Sequence, residues 1–155
     1  MGATLSQPYD GIVTYRSNIR GIVLFTEDLN EVCITINVRG LTPGKHGLHI
    51  HECGDLREGC KSACAHYNPT NKAHGDLAST ESHAGDLGNI IADDQGLCKM
   101  ELRTSKFLLA DIIGRSLIIH ADPDDLGLGG TEESRTTGTS GERVACEIIG
   151  LAKRK

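Results

Sequence analysis

The chain has 155 residues, of which 38% are hydrophobic and 24% charged, and its formal net charge is −5. This length predicts one domain over residues 1–155 with a single core. With two Phe, three Tyr and no Trp, that core must be mostly aliphatic. The acidic balance argues against a nucleic-acid-binding protein, and no apolar run approaches the ~18 residues of a membrane span.

The N-terminus lacks the charged start and apolar run of a secretory signal, which predicts a cytoplasmic protein. Its first six residues match a minimal N-myristoylation pattern at Gly2. No basic patch or second lipid site accompanies the pattern, and one acyl chain alone binds membranes weakly. We therefore interpret this match as coincidental.

The hydrophobic pattern repeats every two residues, which is typical of strands rather than helices. In residues 32–38 every second side chain, from Val32 to Val38, is aliphatic, as in a half-buried strand. Residues 97–103 alternate in the same way. Other short runs rich in β-branched residues lie at 11–16, 21–26, 46–51, 115–120 and 143–151. Short strands separated by turns at 42–44 and 94–96 predict an all-β sandwich or barrel.

Two long stretches, residues 52–85 and 121–142, are polar and show no apolar periodicity. Structureless loops of this length in a compact domain are usually functional or disordered. We therefore expect each of them to be held in place by something other than a hydrophobic core.

Histidines in and around the stretch 52–85 suggest that metal ions hold it in place. His49 and His51 are two residues apart on a predicted strand, so both rings point to one face. His120 ends another apolar strand and could converge on that face. Neutral imidazoles at this spacing can chelate copper or zinc.

A second group, His66, His74, His83 and Asp86, lies in or just after the stretch 52–85. Three imidazoles and one carboxylate satisfy a closed tetrahedral zinc site. A structural zinc ion would also order a polar loop that has no core of its own.

Several longer motifs carry a family resemblance. Gly47-Leu48-His49-Ile50-His51-Glu52 resembles the copper-binding strand of the copper/zinc superoxide dismutase family, intracellular type. The other matching motifs lie at residues 65–69, 83–89, 112–115, 124–127 and 141–146, in order, so that the resemblance runs from about residue 10 to 151. It implies an eight-stranded Greek-key β-barrel or sandwich with two long functional loops.

The resemblance also implies one copper and one zinc ion per chain. The copper ligands would be His49, His51, His66 and His120, and the zinc ligands would be His66, His74, His83 and Asp86. His66 would thus bridge the two metals. Asp124 would accept hydrogen bonds from His49 and His74 and fix their tautomers, while the remaining histidine, His46, would be structural.

The implied reaction is dismutation of superoxide to oxygen and hydrogen peroxide by a redox-cycling copper. His66 would pass a proton to the forming peroxide, and Arg143 would attract and hydrogen-bond the anion. Residues 121–142 match the family's electrostatic loop, including Glu132 and Glu133. The chain departs from the family because Thr136 replaces a common Lys, Asp122 replaces a frequent basic residue, and Glu142 adjoins Arg143. We expect weaker steering and a shallower salt dependence than usual, with Arg135 as a partial compensation.

Among the six cysteines, the resemblance pairs Cys60 with Cys146 in a disulfide within one chain. Cys33 and Cys98 are expected to be free. For the other two, a Cys53–Cys64 bond and an intermolecular Cys53 bond are both open alternatives.

A homodimer and a copper chaperone are the protein partners that the resemblance implies. The dimer interface would come from residues 148–151, 113–114 and 53–54. Two other functions are compatible with a metal-binding fold of this kind: a copper-delivery protein and a metal-stabilised binding protein without activity. The complete set of copper ligands and Arg143 argues against both, as does the lack of an extra metal-binding module.

Overall fold

The computed structural model describes residues 8–155, so the N-myristoylation pattern at Gly2 lies outside the described residues. The described part contains nine strands: β1 (Tyr9–Arg16), β2 (Arg20–Asp28), β3 (Glu31–Arg39), β4 (Gly44–His51), β5 (Asp86–Ala92), β6 (Leu97–Thr104), β7 (Ser116–His120), β8 (Arg143–Ile148) and β9 (Gly150–Lys153). It also contains two short helices, α1 (Leu109–Ile112) and α2 (Glu132–Thr136), and a 3₁₀ turn at Gly59–Ala63. No helix among these residues is long and apolar enough to cross a membrane.

The strands form two antiparallel sheets, which confirms the all-β prediction. One sheet has the order β6-β3-β2-β1-β9 and the other the order β5-β4-β7-β8. The chain crosses between them so that β6 returns beside β3 and β7 returns beside β4. These long return connections are those of a Greek key.

Nine strands stand where eight were expected, because the run 143–151 is divided at Ile149. Up to Ile148 the chain pairs with β7, and from Gly150 it pairs with β1 in the other sheet. Ile149 itself is fully buried, and its backbone bonds to Arg115 instead of to a neighbouring strand. The last run therefore passes from one sheet to the other and closes one side of the sandwich.

The core between the sheets is aliphatic, as the composition predicted. The alternating side chains of β3 from Val32 to Val38 are at most 1% exposed, and Leu48 and Ile50 of β4 are fully buried. The Tyr15 hydroxyl donates to the Leu117 carbonyl at 2.8 Å and so ties the two sheets together. Burial of each such aliphatic side chain contributes roughly 1.5–3 kcal/mol to the free energy of folding.

Strand β4 carries the core on one face and histidines on the other. Leu48 and Ile50 face the core, so His49 and His51 must face outwards. Both are nevertheless fully buried, because the predicted loops 52–85 and 121–142 cover this outer face. The fold therefore buries an all-polar layer outside its hydrophobic core.

Candidate metal centre

Four imidazoles meet on the outer face of the second sheet. His49 and His51 come from β4. His120 lies on β7, the hydrogen-bonded neighbour of β4, two residues after Ile118, which pairs with His49, so its side chain points to the same face. The loop after β4 folds back and pairs His66 with His51 through an isolated backbone bridge. One ring nitrogen from each of the four side chains lies within 4.8 Å of the others, and all four are buried.

Hydrogen bonds at the far side of three of these rings leave a lone pair on the other nitrogen of each, and two of these nitrogens, His49 Nδ1 and His120 Nε2, lie 3.0 Å apart. His51 Nδ1 donates to the Cys64 carbonyl at 2.8 Å, and His120 Nδ1 donates to the Gly141 carbonyl at 3.1 Å. His49 instead donates from Nε2, at 2.7 Å, to a carboxylate oxygen. His51 Nε2 is buried without a hydrogen-bond partner among the described residues. An orphaned buried nitrogen facing other lone pairs fits a metal ligand.

Burial also keeps these three rings neutral. It lowers the pKa of His49 to about 3, that of His51 to about 2 and that of His120 to about 4, and the neighbouring His66 adds to each effect. Near neutral pH their lone pairs are therefore available. Imidazole nitrogen is a good ligand for copper, so the donor set fits this metal.

The second cluster is built around one carboxylate oxygen. Asp86 Oδ1 lies 3.0 Å from His66 Nδ1, 3.0 Å from His74 Nδ1 and 3.2 Å from His83 Nδ1. Burial alone would raise the pKa of Asp86, but hydrogen bonds from the three histidines hold it well below its usual range. The result is an ionised, fully buried carboxylate facing three ring nitrogens, which is a donor set suited to zinc.

His66 lies between the two clusters. Its ring centroid is 4.1 Å from that of His49 on one side and 5.3 Å from that of His74 on the other. Because His66 Nδ1 contacts Asp86, only Nε2 is left for the first cluster. Two metals bound at these clusters would therefore share this one ring.

Asp124 connects the two clusters from the opposite side. Its Oδ2 accepts from His49 Nε2 and its Oδ1 accepts from His74 Nε2, each at 2.7 Å. Both contacts are those that the family resemblance implies. The loop approaches so closely here that a Cβ on Gly138, whose φ is +74°, would lie 2.5 Å from His74 Nε2 and 2.6 Å from Asp124 Oδ1.

Two further side chains support these contacts without having been predicted to do so. Asn89 Oδ1 accepts from the Asp124 backbone N–H at 2.7 Å, and Asn89 Nδ2 donates to the Asp124 carbonyl at 3.0 Å. Lys106 Nζ donates to the carbonyls of His83 at 3.0 Å and Asp86 at 2.9 Å. A lone Lys that binds backbone carbonyls leaves no sequence pattern by which to find it.

The remaining histidine, His46, belongs to neither cluster. Its Nδ1 donates to the His120 carbonyl at 2.7 Å, and its Nε2 lies 2.8 Å from the Thr42 carbonyl oxygen. It is buried and bonded within the fold, as predicted.

Arg143 stands at the start of β8, opposite His120 in the strand pairing. Its Nη1 donates to the Cys60 carbonyl at 2.7 Å and its Nη2 donates to the Cys64 carbonyl at 2.9 Å. The predicted Cys60–Cys146 disulfide is present and ties this loop to β8. The long loop thus fixes the position of the guanidinium.

A cleft beside Arg143 carries mixed charge. It is lined by Cys60, Lys61, Glu142 and Arg143. Lys61 is an additional positive charge that sequence reasoning missed, and Glu142 is the predicted opposing charge. The side chains that line the cleft therefore carry two positive charges and one negative charge.

The electrostatic loop forms the short helix α2, with Glu132 and Glu133 in its first turn. Arg135 in its last turn donates to Glu132 at 3.2 Å, and both side chains are well exposed. The positive charge of Arg135 is thus largely offset by its neighbour. We expect it to compensate little for the missing lysine.

Comparison with known proteins gives concordant matches. The family model for copper/zinc superoxide dismutase (SODC) matches residues 19–149. A superoxide dismutase [Cu-Zn] from Paramecium bursaria Chlorella virus 1 is 46% identical over 153 residues, covering 96% of this chain and 82% of the viral protein. An extracellular superoxide dismutase [Cu-Zn] from Brugia pahangi is 45% identical over 141 residues, covering 87% and 71%. A crystal structure of the clock protein EA4 matches with a TM-score of 0.85 at 36% identity, covering 97% of this chain and 99% of the other.

Proposed function

This chain belongs to the copper/zinc superoxide dismutase family, and from that premise we propose which of its residues carry each part of the reaction. The reaction is the dismutation of superoxide to oxygen and hydrogen peroxide, with copper and zinc as cofactors. We assign copper to His49, His51, His66 and His120, and zinc to His66, His74, His83 and Asp86. The observation that carries this assignment is the position of His66 in both clusters.

When bound, copper supplies one-electron transfer to and from superoxide, and zinc supplies a fixed positive charge without redox chemistry. His66 holds and passes the proton that peroxide formation needs. Its Nδ1 is engaged on the Asp86 side, so only Nε2 can gain and lose a proton. Burial lowers the pKa of His66, so a proton held there is readily given up.

Arg143 binds and orients the anion in this scheme. An arginine has five N–H donors, and two of its nitrogens are occupied by the carbonyls of Cys60 and Cys64. The remaining donors are left for superoxide, and the charge draws it into the cleft.

Metal analysis of single-site variants tests the ligand assignment. His83→Ala removes a side chain found only in the second cluster, so we expect it to lose zinc and keep copper. The matched variant His51→Ala removes one found only in the first cluster, so it should lose copper and keep zinc. Equal loss of both metals from both folded variants would contradict the division into two sites.

Zinc affinity is expected to rise with pH. Burial alone would lower the pKa of His74, but hydrogen bonds to Asp124 and Asp86 and their charges raise it to about 9. Below that pH the metal-free protein holds a proton on His74 that zinc must displace, so the apparent affinity should rise about tenfold per pH unit between about pH 7 and 8. Competition with a chelator of known proton affinity measures this slope. Asp124→Asn, which removes one of the charges, should flatten it, and a flat profile in the native protein would refute the expectation.

Glu142 is expected to slow the capture of superoxide. Glu142→Gln removes the negative charge beside Arg143, so kcat/KM should rise about twofold to fivefold at low ionic strength and fall more steeply with added salt. The control is Asp94→Asn, which makes the same change in net charge at the exposed turn between β5 and β6, at the end of β5 remote from Asp86. Equal effects of the two substitutions would show that overall charge, not its location, sets the rate.

We further propose a homodimer formed through the three segments 53–54, 113–114 and 148–151. They adjoin one another, since a Cβ on Gly54 would collide with the Gly114 carbonyl and the Gly114 N–H donates to Ile149. Ile148 and Leu151, both in the third segment, are 45% and 59% exposed, so this surface offers more than one large apolar side chain to a partner. Sedimentation analysis of Leu151→Glu should then give a monomer from a native dimer; a native monomer would refute the proposal.

The cellular setting is proposed on two observations. Four free cysteines support a reducing, cytoplasmic compartment, although the relative from Brugia pahangi is named extracellular. The copper cluster is buried, which supports delivery by a copper chaperone. Cell fractionation and the copper content of protein expressed with and without a chaperone test these two points.

We also propose that residues 1–155 form one domain, since both sheets share one core.

A further inference from the structure

Cys53 and Cys64 lie side by side where the long loop leaves β4. The backbone N–H groups of Glu52 and Cys53 donate to the carbonyls of Ala65 at 2.9 Å and Ala63 at 3.2 Å, so these two bonds bracket Cys64. The two sulfur atoms and a Glu52 carboxylate oxygen all lie within 4.8 Å of one another. The thiols are thus within the range from which side-chain rotation can form a disulfide.

We propose that Cys53 and Cys64 are a peroxide-reactive dithiol beside the metal centre, which hydrogen peroxide oxidises to a disulfide. Hydrogen peroxide is a product of the dismutase reaction, so the oxidant arises in the same molecule. Neither cysteine takes part in the Cys60–Cys146 disulfide. Both are therefore available as thiols in the folded protein.

The two sulfurs have different surroundings, which gives them different roles. Cys64 is exposed, whereas Cys53 is half-buried. Peroxide can therefore reach Cys64 directly, and Cys53 needs only to reach the sulfur of Cys64. This arrangement of an accessible thiol next to a second, resolving thiol is the one found in redox-sensitive pairs.

The oxidation balances with hydrogen peroxide as the sole oxidant. The Cys64 sulfur attacks one peroxide oxygen, the O–O bond breaks, and the departing hydroxide leaves as water with the thiol proton. Cys64 is then a sulfenic acid. The Cys53 sulfur attacks the Cys64 sulfur, the S–O bond breaks, and a second water leaves with the Cys53 proton. The thiols lose two electrons, and peroxide is reduced to two molecules of water.

The backbone of Cys64 connects this bond to the catalytic centre. The Cys64 carbonyl accepts from His51 Nδ1 at 2.8 Å and from Arg143 Nη2 at 2.9 Å. Cys64 itself has a φ of +66°, a conformation that residues with a Cβ rarely adopt. A disulfide bond to Cys53 would shift the backbone of Cys64, whose carbonyl orients the side chains of His51 and Arg143. Oxidation should therefore lower kcat/KM, an effect that rests on the proposed role of Arg143.

Treating the copper- and zinc-loaded protein with stoichiometric hydrogen peroxide tests the proposal. Alkylation and peptide mass spectrometry should show a Cys53–Cys64 linked peptide, lighter by two hydrogen atoms, while Cys60–Cys146 stays intact. Cys33, which is half-buried on β3, is the internal reference. The pair should oxidise at least about tenfold faster than Cys33. Because peroxide is added, this readout is independent of dismutase activity.

Single variants separate the two steps. Cys53→Ser should stop at a Cys64 sulfenic acid that a dimedone-type reagent traps, and Cys64→Ser should leave Cys53 largely unoxidised. Cys33→Ser is the matched control and should still form the Cys53–Cys64 bond. The proposal is overturned by oxidation of the pair no faster than that of Cys33, by a Cys53–Cys53 bond between subunits, by exchange into the Cys60–Cys146 disulfide, or by a terminal Cys64 sulfinic acid without the link.

Discussion

The His120→Ala variant is expected to remove superoxide at least about a thousandfold more slowly than the native protein. His120 contributes one of the ring nitrogens of the first cluster, and its Nδ1 bond to the Gly141 carbonyl orients that nitrogen towards the other rings. Alanine leaves an incomplete, still buried set of imidazoles that holds copper poorly. The rate should be measured by pulse radiolysis after reconstitution with copper and zinc and expressed per protein chain, with the bound copper of each sample measured separately.

His46→Gln is the matched control for this variant. It replaces a buried imidazole that bonds only within the fold and belongs to neither cluster. It should therefore retain copper and a rate within about threefold of the native one. If His120→Ala keeps the native rate with copper bound, the first cluster is not the catalytic one. If neither protein removes superoxide faster than it decays in buffer alone, the bound copper is not catalytic, which would indicate metal storage or delivery.

The parts of the fold that could be predicted are those in which burial alternates locally. Residues 32–38 lie within β3 because one face of that strand meets the core along its whole length. Strand β5 was not predicted, because Asp86, Gly88 and Asn89 near its start interrupt the apolar pattern, and Asp86 and Asn89 serve the metal centre. The division at Ile149 depends on which sheet each half of the run meets, which is a tertiary property.

The candidate site could be predicted where local geometry or a long motif defines it. A spacing of two residues places His49 and His51 on one face, but that His120 joins them follows from the pairing of β4 with β7, strands distant in sequence. The ligand assignments came from the resemblance. Lys61 and Lys106 escaped prediction because an isolated lysine has no pattern, and only the folded loops show what surrounds it.

The sequence predicted several of the charged residues near Arg143 and in the electrostatic loop, but not how those charges offset one another. The sequence places Arg135 in the electrostatic loop, where we expected partial compensation for the missing lysine. The folded helix α2 places it 3.2 Å from Glu132, so the two opposite charges together add little net charge to the loop. Lys61 was not expected, and it adds positive charge next to Arg143. Steering in this protein should therefore depend on the cleft more than on the electrostatic loop.

Arg143→Ala is expected to lower kcat/KM by about tenfold to a hundredfold with little change in metal content. The guanidinium contacts the carbonyls of Cys60 and Cys64 and no metal-ligating atom, so its loss should spare both clusters. What disappears is the fixed charge that draws the anion in and the donors that hold it. Stopped-flow or pulse-radiolysis rates, taken at several salt concentrations, measure both parts.

Two further variants distinguish position from charge. Arg143→Lys keeps the charge but lacks the rigid fork of donors, so its rate should lie between those of the native protein and Arg143→Ala. Arg135→Gln makes the same change in net charge as Arg143→Ala, but Arg135 is exposed to solvent and does not line the cleft, so screening should keep its rate within about twofold of native. The salt dependence should become shallower in Arg143→Ala and stay nearly unchanged in Arg135→Gln. Equal losses of kcat/KM in Arg143→Ala and Arg135→Gln would mean that superoxide responds to the protein's total charge. Arg143 would then have no specific role in binding superoxide.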